Sequence, residues 1–81
     1  MYFVYILKSV PYKKTYTGRT KNLDNRLKQH NLGYNTFSRK YRPWKVIYFE
    51  KVLAFRDSLE REKYFKSKQG RFWIKVNLFN N

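Results

Sequence analysis

The first residues carry apolar side chains on both alternations. In "YFVYILKS", Tyr2 to Ser9, one set is Tyr2, Val4 and Ile6 and the other is Phe3, Tyr5 and Leu7. A run rich in aromatic and β-branched residues reads as a strand, and a strand apolar on both faces belongs in the middle of a sheet covered on both sides. Pro11 breaks the run and starts a turn. "KKTYTG", Lys13 to Gly18, then returns as the second arm of a hairpin, ended by Gly18. The period changes after it. Leu23, Arg26, Leu27 and His30 fall at i, i+3, i+4 and i+7, one stripe of a helix, with Asn22 as its N-cap and Gly33 as its stop.

Asn31 to Arg42 reads as a basic, polar loop containing "TFSRKYR". Pro43 opens a third strand, Trp44 to Val52. Ala54 to Lys68 reads as a second helix, and Gly70 separates it from "RFWIKVNLF", a short C-terminal element taken as helical, closing the core with Phe72, Trp73, Ile74 and Leu78. The order β-β-α-β-α-α predicts an α+β fold: a small three-stranded antiparallel sheet flanked by helices. With 81 residues and no linker, repeat or low-complexity stretch, the chain reads as one domain, 1–81.

Charge adds a partner to this picture. Nineteen Lys and Arg stand against five Asp and Glu, a formal net charge of +14 spread along the whole chain. Such self-repulsion points to a polyanionic partner. Aromatics make up 21% of the residues, and interleaved with Arg and Lys they suit stacking on bases, so nucleic acid leads over an anionic membrane surface. There is no cysteine, hence no disulfide or thiolate metal ligand, in keeping with a reducing cytoplasm. The apolar start is too short for a secretory signal, and no run has the length of a membrane span.

Two placements on the helices call for chemistry. At about 100° per residue, Ala54, Phe55, Ser58, Leu59 and Phe65 gather on one side of the second helix, Glu62 falls inside that arc, and Glu60 falls opposite. A carboxylate on an apolar face needs a salt bridge to a neighbouring Arg or Lys, the ordinary outcome, or a metal ion; Mg²⁺ commonly takes one or two carboxylates with water and phosphate oxygens. On the first helix, Arg26 can pair with Glu62, and His30 can cap the helix end. The combination also fits phosphodiester cleavage, which needs a cation on the phosphate, a donor for developing charge and a group that deprotonates water. Tyrosine is a weak base in water, and an adjacent Arg and a metal would favour its charged form.

With these residues in order, the chain resembles the GIY-YIG nuclease family in its small single-domain bacterial form, over nearly its whole length. Phe3-Val4-Tyr5 and Tyr16-Thr17-Gly18 match the two signature triplets, with Phe3 where the family name has glycine and Thr17 where it has isoleucine. "GRTKNLDNRLKQHN" resembles the following stretch, "RPWKVIYFE" the third strand and "SLEREKYFKSKQGR" the metal-ligand helix.

The resemblance implies hydrolysis of DNA phosphodiesters assisted by one divalent metal, Mg²⁺ or Mn²⁺. Tyr5 and Tyr16 would bracket the attacking water, with Tyr5 favoured as the base. Arg26 would stabilise the phosphate, His30 would assist, and Glu62 would hold the metal. Larger relatives, such as homing endonucleases and the excision-repair nuclease subunit, carry separate DNA-binding domains. Here Lys13, Lys14, Arg19, Lys21, Arg39, Lys40 and Arg42 are the candidate phosphate contacts, which read backbone and not sequence. The expected activity is structure-dependent or nonspecific, on branched or damaged DNA among others. The second reading is a catalytically weak DNA- or RNA-binding module on the same fold. The oligomeric state stays open.

Overall fold

The doubly apolar run becomes the central strand. In a computed structural model that describes residues 1–79, β1 (Tyr2–Ser9) lies between β2 (Thr15–Thr20) and β3 (Trp44–Val52), antiparallel to both. Val4 and Ile6 face one layer of helices, α3 (Phe55–Lys66) and α4 (Lys68–Leu78). There they pack with Phe65 and Ile74, flanked by Ile47, Tyr48 and Trp73. Tyr5 and Leu7 face the opposite layer, α1 (Leu23–Leu32) and α2 (Thr36–Lys40), and pack with Trp44, Tyr16, Leu23 and Leu27. The expected α+β class and element order hold, with α2 as an additional short helix.

Local chemistry explains most boundaries. Asn22 caps α1, its side chain accepting from the Asn25 amide at 3.0 Å. Gly33 ends α1 at φ 88°, the left-handed conformation that glycine adopts at least cost, and its N–H reaches the Gln29 and His30 carbonyls. A register shift in the β1–β3 pairing, between Ile6 and Leu7, leaves Ile47 and Tyr48 both on the α3/α4 side.

Four boundaries differ from the sequence reading. Gly18 does not end the second strand: it pairs with Tyr5, and the ladder runs on to Thr20. The loop around "TFSRKYR" contains α2, whose start is capped by Asn35 accepting from the Phe37 and Ser38 amides. The second helix stops at Lys66, because Ser67 leaves the helical conformation and caps α4, accepting from the Gly70 amide at 3.1 Å. Gly70 is therefore inside α4 and not a separator. It is buried, and a Cβ there would run into the Tyr64 carbonyl, so its role is close approach of α4 to α3. Of the expected core closers, Ile74 is buried and Trp73 and Leu78 are partly buried, but Phe72 is 67% exposed.

Candidate active site

Gly18 organises the site. It stands opposite Tyr5 on the edge strand β2, and the Tyr5 ring leans across it: a Cβ on Gly18 would come within 2.6 Å of the Tyr5 hydroxyl. A side chain at that position would push the hydroxyl away, so the glycine clears its path toward the edge of the sheet.

The Tyr5 hydroxyl then meets His30, with Oη 3.1 Å from Nε2. On the far side of the ring, Nδ1 is 2.8 Å from Ser38 Oγ, and that hydroxyl donates to the Asn35 carbonyl at 3.3 Å. With the Ser38 hydrogen committed to Asn35, the network assigns the proton to His30 Nδ1. Nε2 is then the acceptor for the Tyr5 O–H. Ser38 is fixed in turn by α2, whose carbonyl at Ser38 accepts from the Trp44 indole at 2.7 Å. His30 is 1% exposed, and burial, reinforced by the Arg26 charge, lowers its pKa to about 4. It is a neutral imidazole at physiological pH and not a positive helix cap.

Tyr16 stacks beside Tyr5, with ring centroids 6.5 Å apart, and stands 4.5 Å from the His30 ring. Phe37 and Trp44 flank its ring, at 6.2 and 6.5 Å. Arg26, one turn before His30 on the α1 stripe, donates through Nη1 to Gln29 at 3.0 Å. The hydroxyl of Tyr5 and, more weakly, that of Tyr16 favour its charged form and raise its pKa. Its Nε is buried and finds no acceptor among the described residues. A half-buried cation with a free donor is suited to an anionic oxygen.

Burial is the largest influence on the Tyr5 hydroxyl and raises its pKa, opposed by Arg26 and reinforced by the charges of Tyr16 and Glu62. The expectation that Arg26 favours the phenolate is thus met in direction but outweighed by desolvation.

Glu62 arrives from the other layer. It sits on α3, and its negative charge is the smallest of the influences that raise the Tyr5 pKa. It does not pair with Arg26. Its Oε1 lies 2.9 Å from Arg19 Nε and its Oε2 2.7 Å from Lys66 Nζ. Arg19 is opposite Val4 and therefore on the α3 side, where it also covers the Phe55 ring at 4.8 Å. Tyr5, Tyr16, Arg26 and His30 form one cluster on the α1/α2 side of the sheet, and Glu62 lies on the α3 side, paired with Arg19 and Lys66.

Of the candidate phosphate contacts, Arg19 is engaged by Glu62, Lys14 lies over the Tyr41 ring and Lys21 over the Tyr2 ring. Lys13, Arg39, Lys40 and Arg42 are exposed. Ser38 and Lys66 were missed by the sequence reading. Lys66 stands four residues after Glu62, an ion-pair spacing that was available.

The model of the GIY-YIG catalytic domain matches residues 1–77. The chain belongs to the GIY-YIG family. The chain is also similar to a UPF0213 protein of Clostridium perfringens, 42% identical over 67 residues (82% of this chain, 71% of the relative), and to a UPF0213 protein of Syntrophus aciditrophicus, 38% identical over 66 residues (79% and 75%). No solved structure matches significantly. The GIY-YIG domain is a nuclease module, which makes nucleic acid the substrate class. No described helix is long and apolar enough to cross a membrane.

A divalent ion can be tested against the donors present. The described residues contain no cluster of three or more His, Cys, Asp or Glu. The side chain of Glu62 offers one carboxylate, 19% exposed. That set suits Mg²⁺ or Mn²⁺ keeping most of its waters and taking substrate phosphate oxygens, and it does not suit a closed protein cage. Arg19 and Lys66 would have to yield the two carboxylate oxygens.

Proposed function

We propose that the chain is a divalent-metal-dependent endonuclease that hydrolyses phosphodiester bonds in DNA without reading sequence. Tyr5, Tyr16, Arg26, His30 and Glu62 carry the reaction. The observation behind this reading is the 3.1 Å contact between the Tyr5 hydroxyl and His30 Nε2, which the tautomer assigned above makes a bond donated by Tyr5. A phenol whose proton is already directed to a neutral imidazole presents its oxygen lone pairs to a water molecule. It can accept a proton from that water while passing its own to His30, so a free phenolate need not accumulate.

Arg26 supplies positive charge and the free Nε donor to the phosphate as charge develops on its oxygens. Tyr16 orders the water from the second side. Glu62 would hold the metal, which when bound supplies Lewis-acid stabilisation of the phosphate.

One observation favours the second reading, a binding module with weak or no cleavage: both Glu62 oxygens are ion-paired within the chain. A nicking assay on supercoiled and branched DNA decides between them. With Mg²⁺ or Mn²⁺ the protein is expected to nick, with chelator it is not, and Tyr5→Phe is expected to lower the rate by about 10²-fold or more while leaving DNA binding intact. Tyr5→Phe nicking at the full rate would remove Tyr5 as the base, and a wild-type protein inert with both metals would leave the binding module.

A further inference from the structure

The cations that the site does not use are arranged beside it. A groove of about 570 Å³ runs along the free edge of β2 between the hairpin and the helices α3 and α4. Its floor is apolar: the buried Phe65 and Ile74 lie at its base and the partly buried Phe79 at its end, while Tyr16 borders it at the β2 edge with its ring packed on the opposite face of the sheet. Its rim is cationic, with Lys13 and Lys14 on one side and Lys66, Arg71 and Lys75 on the other, and no lining residue is acidic. A second hollow of about 780 Å³ shares Lys13, Lys75 and Phe79 with the first and extends it past Phe72 and Val76. These two are 67% and 42% exposed, apolar side chains left in water beside Lys75.

The groove reaches the Glu62 end of the proposed site: Lys66 at its rim holds Glu62 at 2.7 Å. The lysines and arginine account for a polyanion, but the floor decides which kind. A duplex turns its phosphates outward and hides its base faces, so it would engage the rim and leave Phe72 and Phe79 unused. A single strand presents phosphates to the rim and unstacked bases to the aromatic surfaces, the pairing of basic groove and stacking platform that such strands require.

We propose that this continuous groove is a binding channel for a single strand of DNA, which it leads from Phe72 past Phe79 to Lys66 and Glu62. The channel deepens the nuclease reading and rests on it only for where the strand is delivered. Its occupancy is a binding property and can be measured without cleavage.

The experiment is fluorescence anisotropy in chelator, with labelled oligo(dT) and a blunt duplex of the same length. Phe72 is exposed, so Phe72→Ala folds. It is expected to weaken oligo(dT) binding about tenfold and duplex binding less than about threefold. Arg71→Glu with Lys75→Glu is expected to weaken oligo(dT) by more than tenfold, roughly. Lys45→Glu with Arg56→Glu makes the same charge change at exposed positions outside the groove and is expected to cost clearly less. The proposal is overturned if Phe72→Ala leaves oligo(dT) affinity unchanged, if it weakens the duplex equally, or if the Lys45 and Arg56 pair costs as much as the groove pair. The nuclease reading fails separately, on the absence of nicking with metal.

Discussion

The two faces of β1 are equally buried and filled in opposite ways. Val4 and Ile6 on one side and Tyr5 and Leu7 on the other are each 1% exposed or less. Behind Val4 and Ile6 stand Phe65, Ile74, Trp73 and Tyr48, a layer held by apolar volume. Behind Tyr5 stand His30, Ser38 and Trp44, whose polar atoms are satisfied by one another. The first layer tolerates any change that conserves volume, whereas the second depends on each donor finding its acceptor. A domain of this size has one strand central enough to be dry on both sides, and the fold spends one face of it on cohesion and the other on a positioned hydroxyl.

The largest effect on stability should come from the apolar face. Phe65 is 1% exposed and in contact with the rings of Tyr48, Tyr64 and Trp73. Phe65→Ala should cost about 3–5 kcal/mol, a large part of the stability of so small a domain. Urea unfolding measures the loss. Cleavage per folded molecule should change little. A Phe65→Ala protein that unfolds normally but cleaves poorly would show that the two faces are not separable.

The polar face should reveal itself through pH. In the unfolded chain His30 titrates near 6.5, and in the fold it resists protonation down to about 4. Between those values the unfolded state binds more protons, so the stability tied to the neutral ring is complete above 6.5 and is lost as pH falls toward 4. The full loss is on the order of 3 kcal/mol. His30→Gln, which can still meet Tyr5 and Ser38 through its amide, should flatten this part of the profile. Equal slopes for His30→Gln and wild type between pH 6.5 and 5 would mean that His30 is not held neutral.

The apolar face was the more legible of the two in the sequence, and the reason is periodicity. The two alternations of Tyr2 to Ser9 announced a central strand, and the stripe Leu23, Arg26, Leu27, His30 announced a helix with polar residues turned inward. What holds those polar residues was hidden. Ser38 lies on a helix of five residues, too short to show a period, and its only signal was Asn35 at the cap.

Gly18 and Gly70 were read as breaks because glycine commonly ends elements. Both instead lie inside one, where another group passes too close for a Cβ: the Tyr5 hydroxyl at the first and the Tyr64 backbone at the second. Phe72 looked like core because hydrophobicity alone does not say which side of a short helix has a partner. The partners of Glu62 were not legible either. Lys66 was one of nineteen cations, and Arg19 reaches Glu62 only because β2 is extended through Gly18.

The smallest stability change should come where the faces meet. The Glu62 carboxylate is paired with Arg19 and Lys66, both with appreciable solvent access, so the two ion pairs together are worth little after screening. Glu62→Gln removes one negative charge from a chain already at +14, which adds some repulsion, but Arg19 keeps its contact with the Phe55 ring. Melting temperature should therefore correspond to a change within about 1 kcal/mol. Metal-free DNA binding should survive, since it rests on many Lys and Arg.

Metal-dependent nicking should nevertheless disappear, because an amide oxygen is a far weaker ligand for Mg²⁺ than a carboxylate. Thermal melting, DNA affinity in chelator and nicking rate with Mg²⁺ on one preparation separate the cases. If Glu62 were only a strut between α3 and β2, Glu62→Gln would lower stability and leave cleavage per folded molecule intact. That outcome would return Glu62 to the cohesive side of the molecule and leave the Tyr5–His30 pair without a metal-bearing partner.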